Sequence, residues 1–370
     1  MKWRIVVLAA LAVLMAVSIY AQTTRYFLYV TNTVDDGVSA YVMNPSTGAL
    51  TSVSGSPFSV SGPNGIGVDP TGKFLYVTNG AYKSVSAYAI NPSSGNLTAV
   101  SGSPFPSGTN PTMIAVHPKG KFLYVENNYS AKVSAYTIKP TTGALSAITG
   151  SPFPAGGPYP EGVVVDPRGK FLYVTNYGGS NVFAYSISSS SGSLSAISGS
   201  PFKAGSGPYF IAVDPTGKFL YVANQVSALT GIGTPTVSAF VINPRTGALS
   251  EVNGSPFAAG KAPHGVVVDP TGKFLYVANN GSANISAYGI NPSTGALSTV
   301  SGSPFPAGKG PDSIAVDPTG KFLYVTNQSG NSISAYKINA STGVLSAVSG
   351  SPFAAGSGLL GIAIAAVTGS

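Results

Sequence analysis

The chain has 370 residues, 44% of them hydrophobic and only 8% charged, with a formal net charge of +8 that falls to +6 once Lys2 and Arg4 are set aside. The basic residues are scattered, one lysine per repeat at the same turn, rather than clustered, which argues against a nucleic-acid-binding surface. There is no cysteine, so neither a disulfide nor a lipid-modified thiol can hold the chain, and its stability must come from a packed core.

Residues 1–21 read as a signal peptide. Lys2 and Arg4 precede an apolar run from Ile5 to Val17 that is short for a bilayer span, followed by Ser18-Ile-Tyr-Ala21. Cleavage after Ala21 or Ser18 would release a secreted or periplasmic protein with no membrane span; an uncleaved anchor is the alternative. From residue 22 the chain is an array. Phe-Leu-Tyr-Val starts at Phe27, Phe74, Phe122, Phe171, Phe219, Phe274 and Phe322, in steps of 47, 48, 49, 48, 55 and 48 residues. A fixed period of this kind marks stacked copies of one supersecondary unit.

Each unit carries four short strands. In the second copy the first strand, around Ile66-Gly-Val68, ends at Asp69-Pro-Thr-Gly72, a turn in which Asp bonds locally, Pro presets φ and Gly takes the left-handed position. Phe74-Leu-Tyr-Val77 is the second strand and Val85-Ser-Ala-Tyr-Ala-Ile90 the third, closed by an Asn-Pro turn. Leu97-Thr-Ala-Val100 is the fourth, followed by Gly-Ser-Pro-Phe. The middle strands are apolar at nearly every position, so both of their faces must be covered. Radial repetition meets that need. The expected fold is therefore all-β: a single domain over residues 22–370, a seven-bladed β-propeller of four-stranded antiparallel blades. The first Phe-Leu-Tyr-Val lacks a preceding strand, and Gly358-Leu-Leu-Gly-Ile-Ala-Ile-Ala365 is a first strand without a blade. The ring is expected to close by that C-terminal strand pairing with the N-terminal blade.

Leu-Tyr-Val-Thr-Asn occurs at Leu28, Leu75, Leu172 and Leu323, with Ala or Glu replacing Thr in the other copies. This resembles the YVTN-type propeller repeat. The fuller pattern, Val-Asp-Pro-Thr-Gly-Lys-Phe-Leu-Tyr-Val with Ser-Ala-Tyr-x-Ile-Asn-Pro-x-Thr-Gly-x-Leu, is similar to the seven-bladed lactonase family, which includes bacterial 6-phosphogluconolactonase and a fungal muconate-lactonising enzyme. The resemblance implies hydrolysis of a small lactone, and a site built from His, Glu and Arg. The matched residues are strands and turns, which specify a fold more than an activity.

The residue after the Pro that leads into each first strand differs in every copy: Asn64, Thr112, Glu161, Tyr209, His264 and Asp312, with Leu360 in the last strand. The strand order places these positions at one mouth of the channel. Glu161, His264 and Asp312 form an acid/base set, His264 suited to activating water and Asp312 to orienting it, with Glu161 as an alternative base. Asn64, Thr112 and Tyr209 can bind substrate oxygens. The competing reading is an ordinary polar mouth filled with water.

Glu126, in place of the repeat Thr, is a second-rank candidate. His117 replaces the repeat Asp and reads as a turn residue. One histidine with two carboxylates is too thin for a metal site, so no metal or cofactor is expected. Arg25, Arg168 and Arg245 do not fall at the proposed mouth, although Lys203, Lys261 and Lys309 lie in incoming loops. The phosphate recognition of a phosphosugar enzyme is therefore not apparent. The expected ligand is an unphosphorylated small-molecule lactone or carbohydrate, and the expected oligomeric state is a monomer. Residues 225–236 add seven residues to one mouth loop, as a lid or a plain excursion. The alternative function is a non-catalytic extracellular propeller binding a glycan, a peptide or a surface protein.

Overall fold

The computed structural model describes residues 24–226 and 233–368. The proposed signal peptide lies outside the described residues, as do residues 227–232 of the long loop. The described residues form seven antiparallel sheets. In the second, Pro63–Val68 pairs with Phe74–Asn79, which pairs with Ser84–Ile90, which pairs with Leu97–Ala99. The fourth position differs from expectation because it is broken in two. Phe105–Pro106 pairs with the start of the third strand while Leu97–Ala99 pairs with its end, so each sheet holds five strand segments in four positions. The break leaves the Ala87 N–H facing a gap, and the Ser103 hydroxyl accepts from it at 2.9 Å. The same serine substitution for a ladder partner recurs in every blade, from Ser56 onto Ala40 to Ser351 onto Ala335.

The ring closes as expected. Leu359–Thr368 pairs antiparallel with Thr24–Asn32, from Thr24 opposite Thr368 to Val30 opposite Ile362. Every second strand is buried from its phenylalanine to its asparagine, which explains its unbroken apolar run.

Neighbouring blades are joined through the Phe-Leu-Tyr-Val strand. Its tyrosine donates to the carbonyl of the glycine that ends the next blade's third-to-fourth-strand turn, Asn-Pro-x-x-Gly in four of the seven blades. The pairs are Tyr29–Gly95, Tyr76–Gly143, Tyr124–Gly192, Tyr173–Gly247, Tyr221–Gly295, Tyr276–Gly343 and Tyr324–Gly48, all at 2.8–3.0 Å. The last pair carries the seventh blade back to the first. The phenylalanine two residues earlier lies on the same glycine. A Cβ on Gly295 would stand 2.4 Å from the Phe219 ring, and this glycine has φ +77°. Only glycine satisfies both the space and the backbone there.

The Asp-Pro turns face the opposite end of the channel, with their lysines exposed and their aspartates buried. Asp69 is a turn cap: Oδ1 accepts from Phe74 N–H at 2.7 Å and Oδ2 from the Thr71 amide and hydroxyl. His117 takes this place in the third blade. Its Nδ1 accepts from Lys119 N–H at 3.0 Å, which leaves Nε2–H to donate to Gly169 O of the next blade at 3.2 Å. That is the neutral ring, and burial first, then the charges of Lys119 and Lys121, hold its pKa below the usual histidine value.

Two outcomes are expected. Gly295→Ala should cost about 2–4 kcal/mol, from the left-handed backbone and the collision with Phe219 together. A change in denaturation midpoint too small to measure would show that the joint is slack. For His117 the folded pKa is depressed, so its stabilising effect is full above the unfolded value of about 6.5 and fades as pH falls below it. Melting temperatures of wild type and His117→Asp, compared between about pH 7 and 5, should diverge, the wild type losing more. Parallel pH curves would refute the assignment.

Candidate functional site

The first strands line the channel with apolar side chains, among them Ile66, Ile114, Val163, Ile211, Val266 and Ile314, around a cavity of about 150 Å³. At the mouth each of these strands begins irregularly. Its register shifts just after the leading proline, between Pro63 and Ile66 in the second blade and between Pro263 and Val266 in the sixth. The variable residue sits in that irregularity. It escapes the ladder, which frees its side chain from the regular strand pairing.

His264, Asp312 and Tyr209 meet there. His264 Nδ1 lies 2.8 Å from Asp312 Oδ2, and Asp312 is 1% exposed. His264 Nε2 lies 3.0 Å from Gln225 Oε1, and the Tyr209 ring lies against the imidazole at 4.4 Å between centroids, tilted by 31°. The Gln225 amide can serve either charge state of the ring, accepting from an imidazolium or donating to a neutral imidazole when turned over. Gln225 opens the long loop. Its neighbour Val226 has φ 80°, an outlying value for a β-branched residue, and its carbonyl accepts from the Tyr177 hydroxyl at 3.4 Å.

Glu161 stands on the other side of the opening. Asn128 Nδ2 donates to Glu161 Oε1 at 2.8 Å and to Pro160 O at 3.0 Å. Burial pushes the Glu161 pKa up to about 7, and the charge of Asp312 adds to this, against the bond from Asn128. Glu161 also faces a cleft of about 310 Å³ between the third and fourth blades, whose lining includes Thr112, Tyr129, Tyr159 and Tyr177. Tyr209 is held protonated, its pKa raised by burial and then by the Asp312, Glu161 and Glu126 carboxylates.

Asn64 and Thr112 are more committed to the scaffold. Asn64 Nδ2 donates to Pro111 O at 3.1 Å, and Thr112 Oγ1 donates to Glu126 Oε1 at 2.9 Å. Glu126 is 0% exposed, takes a second bond from Met113 N–H, and has Oε2 buried without a partner. Burial first, then the charge of Glu161, raises its pKa well above the usual carboxylate value, against the bonds from Thr112 and Met113 N–H.

Sequence reasoning missed Gln225, Asn128 and the three tyrosines of the cleft. One signal for the acid/base set was present and unused. Where the repeat has Thr, its hydroxyl donates across the blade boundary to the carbonyl of the next mouth residue: Thr31 to Asn64, Thr78 to Thr112, Thr175 to Tyr209 and Thr326 to Leu360. The blades that lack this Thr carry Glu126, Ala223 and Ala278, and the mouth residues that follow them are Glu161, His264 and Asp312. The latch is missing before each of the three titratable groups.

Arg168 lies at the far end, paired with Asp166 at 2.8 Å and donating to Gly217 O. Lys203, at the end of the outer strand segment Phe202–Lys203, and Lys261 and Lys309 in loops are exposed and line neither cavity. Among the described residues no group of three or more His, Asp or Glu side chains is arranged to hold a metal ion. No helix among them is long and apolar enough to cross a membrane.

The fold has many solved counterparts. A candidate 6-phosphogluconolactonase from Bacteroides uniformis superposes with a TM-score of 0.79 at 21% identity, over 93% of this chain and 100% of that one. A second candidate 6-phosphogluconolactonase, from Bacteroides fragilis, gives 0.79 at 22%, over 92% and 98%. The periplasmic gluconolactonase of Pseudomonas aeruginosa gives 0.76 at 21%, over 93% and 99%. No curated protein sequence matches significantly. The family described as lactonase, 7-bladed beta-propeller matches residues 16–107, 101–262 and 157–359, which together span nearly the whole array. The chain belongs to that lactonase family of seven-bladed β-propellers.

Proposed function

We propose that the protein is an exported hydrolase of a small, unphosphorylated, sugar-type lactone, with Glu161 as the general base. The observation that carries this reading is a carboxylate at the channel mouth that titrates near pH 7 and opens onto a cleft. Membership of the lactonase family supports the reaction class, and the name of the Pseudomonas aeruginosa neighbour supports the substrate class and the export. Neither cavity at the mouth is lined by Arg or Lys, which disfavours a phosphorylated substrate.

In this mechanism Glu161 takes a proton from water as its oxygen attacks the lactone carbonyl. The tetrahedral oxyanion is met by donors at the mouth, the Tyr209 hydroxyl and the second amide N–H of Asn64. On collapse the ring C–O bond breaks, and Glu161 returns the proton to the departing alkoxide. His264, clamped between Asp312 and Gln225 with its ring against Tyr209, walls the opening. With Nε2 engaged by Gln225, it is the less accessible of the two candidate bases. Thr112 acts through Glu126, as part of the floor beneath Glu161.

Hydrolysis of a lactone panel, corrected for the uncatalysed rate, gives the test. Catalysis requires ionised Glu161, so kcat/KM should rise with pH through about 7 and then level. Glu161→Gln should lower kcat by about 10²–10⁴-fold. Full activity in that variant would exclude Glu161 and return the role to His264, for which His264→Ala is the parallel measurement. Asp312→Asn removes the like charge that helps raise Glu161 and should move the midpoint of the pH profile to lower pH; an unmoved or higher midpoint would contradict the coupling. A wild type that hydrolyses no lactone would leave the binding propeller as the remaining reading.

A further inference from the structure

We infer that the cleft between the third and fourth blades is a subsite for a neutral pyranose ring, stacked on Tyr129 and Tyr159 with its hydroxyls on Asn110, Asn128 and Glu161. The first support is composition. The cleft of about 310 Å³ is lined by Asn110, Thr112, Asn128, Tyr129, Tyr159, Glu161 and Tyr177, with no cation among them. Its size lies at the small end of ligand cavities, matched to a small ring and not to a polymer chain. Aromatic faces offer stacking to the C–H face of a sugar, while amides and a carboxylate match its hydroxyls in both donor and acceptor sense. Asn128 spends both amide hydrogens on Pro160 O and Glu161 Oε1. Its Oδ1 and the second oxygen of Glu161 stay available to accept.

The second support is independent and comes from the backbone. The residue before each mouth proline, or before Leu359 in the last blade, is left-handed in all seven blades, with φ between +47° and +69°. Four blades meet this with glycine: Gly62, Gly207, Gly310 and Gly358. The sixth uses Ala262. Only the third and fourth place longer side chains there, Asn110 at φ 54° and Tyr159 at φ 53°. Both side chains line the same cleft. A bulky aromatic in this conformation opposes local preference, and nothing in the blade joint requires it. The Tyr159 ring is fixed against Gly178, where a Cβ would come within 3.0 Å of its Cδ2. Tyr159 is nevertheless 43% exposed and Tyr129 70% exposed. These rings are placed at the surface, not buried for stability.

Because the cleft ends at Glu161, a sugar bound there would hold a linked lactone ring at the base. That last step rests on the function proposed above; the subsite itself does not. The substrate it favours is an aldonolactone carrying a glycosyl group.

Binding can be measured by calorimetry or saturation-transfer NMR with methyl glycosides of glucose, galactose and mannose and with neutral disaccharides. At least one should bind saturably to the wild type, and Tyr129→Ala and Tyr159→Gly should each weaken it about three- to tenfold. Tyr159→Gly restores the residue of four other blades, so its melting temperature should stay level or rise, which separates lost binding from lost folding. Binding by none of these sugars, or undiminished binding by Tyr159→Gly, would overturn the subsite. In the kinetic arm, a disaccharide aldonolactone should show a lower KM than glucono-1,5-lactone, and Tyr159→Gly should abolish the difference. Equal KM values in the wild type would overturn the glycosyl-lactone assignment and leave the hydrolase standing. Sugar binding without turnover of any lactone would uphold the subsite and remove the hydrolase.

Discussion

The structure depends on one joint, repeated seven times: a buried tyrosine hydroxyl of one blade bonded to a glycine carbonyl of the next, under a phenylalanine that excludes any side chain at that glycine. Each bond contributes on the order of 1 kcal/mol net, while an orphaned buried partner costs about 1–3 kcal/mol, so the joint penalises misplacement more than it rewards contact. In an open array the terminal units would expose one half of it and need caps. Here Tyr324 finds Gly48 and Leu359–Thr368 completes the first sheet, so no half-joint is left over. The same cores run across each boundary, with Phe322 and Tyr324 of the last blade packed beside Tyr41 and Leu50 of the first.

Because this joint fixes the blades from the inside of each sheet, the mouth positions carry no share of it. That explains why Asn64, Thr112, Glu161, Tyr209, His264 and Asp312 differ while their surroundings repeat. The secondary latch at the mouth, a threonine hydroxyl on the next blade's backbone, is dispensable in the same sense. It is absent ahead of Glu161, His264 and Asp312, where the chain carries ionisable groups instead of a fixed strand entry.

The fold was legible in the sequence because it is written seven times. Phe-Leu-Tyr-Val and the glycine of the third-to-fourth-strand turn are the two halves of the joint, and the unmatched strands at the two ends announce the closure. The broken outer strand was not legible, since Gly-Ser-Pro-Phe reads as a plain turn until the Ser103 hydroxyl is seen answering Ala87 N–H. The site was legible only as a ring of differing residues. The clamping of His264 by Gln225 depends on where an inserted loop lands, and no repeat fixes that. Tyr159 was within reach: comparing the residue before each mouth proline across the blades sets one tyrosine against three glycines, with a fourth before Leu359. Tyr129 was not, because the residues of the loops equivalent to its own differ from blade to blade.

The scarcity of charge, noted first as a fact of composition, returns as a property of the site. Among the described residues the ion pairs within 4.0 Å are Arg168 with Asp166 and His264 with Asp312. Glu161 and Glu126 therefore share the mouth with each other and with Asp312, and their only compensation is hydrogen bonds from Asn128, Thr112 and Met113 N–H. An arginine beside Glu161, of the sort the family resemblance implies, would hold that carboxylate ionised far into acid. Without one, burial and like charge raise both groups, Glu126 well above its ordinary value and Glu161 to about 7. The Glu161 value is thus set first by the burial of its carboxyl and then by the balance between the Asp312 charge and the Asn128 bond.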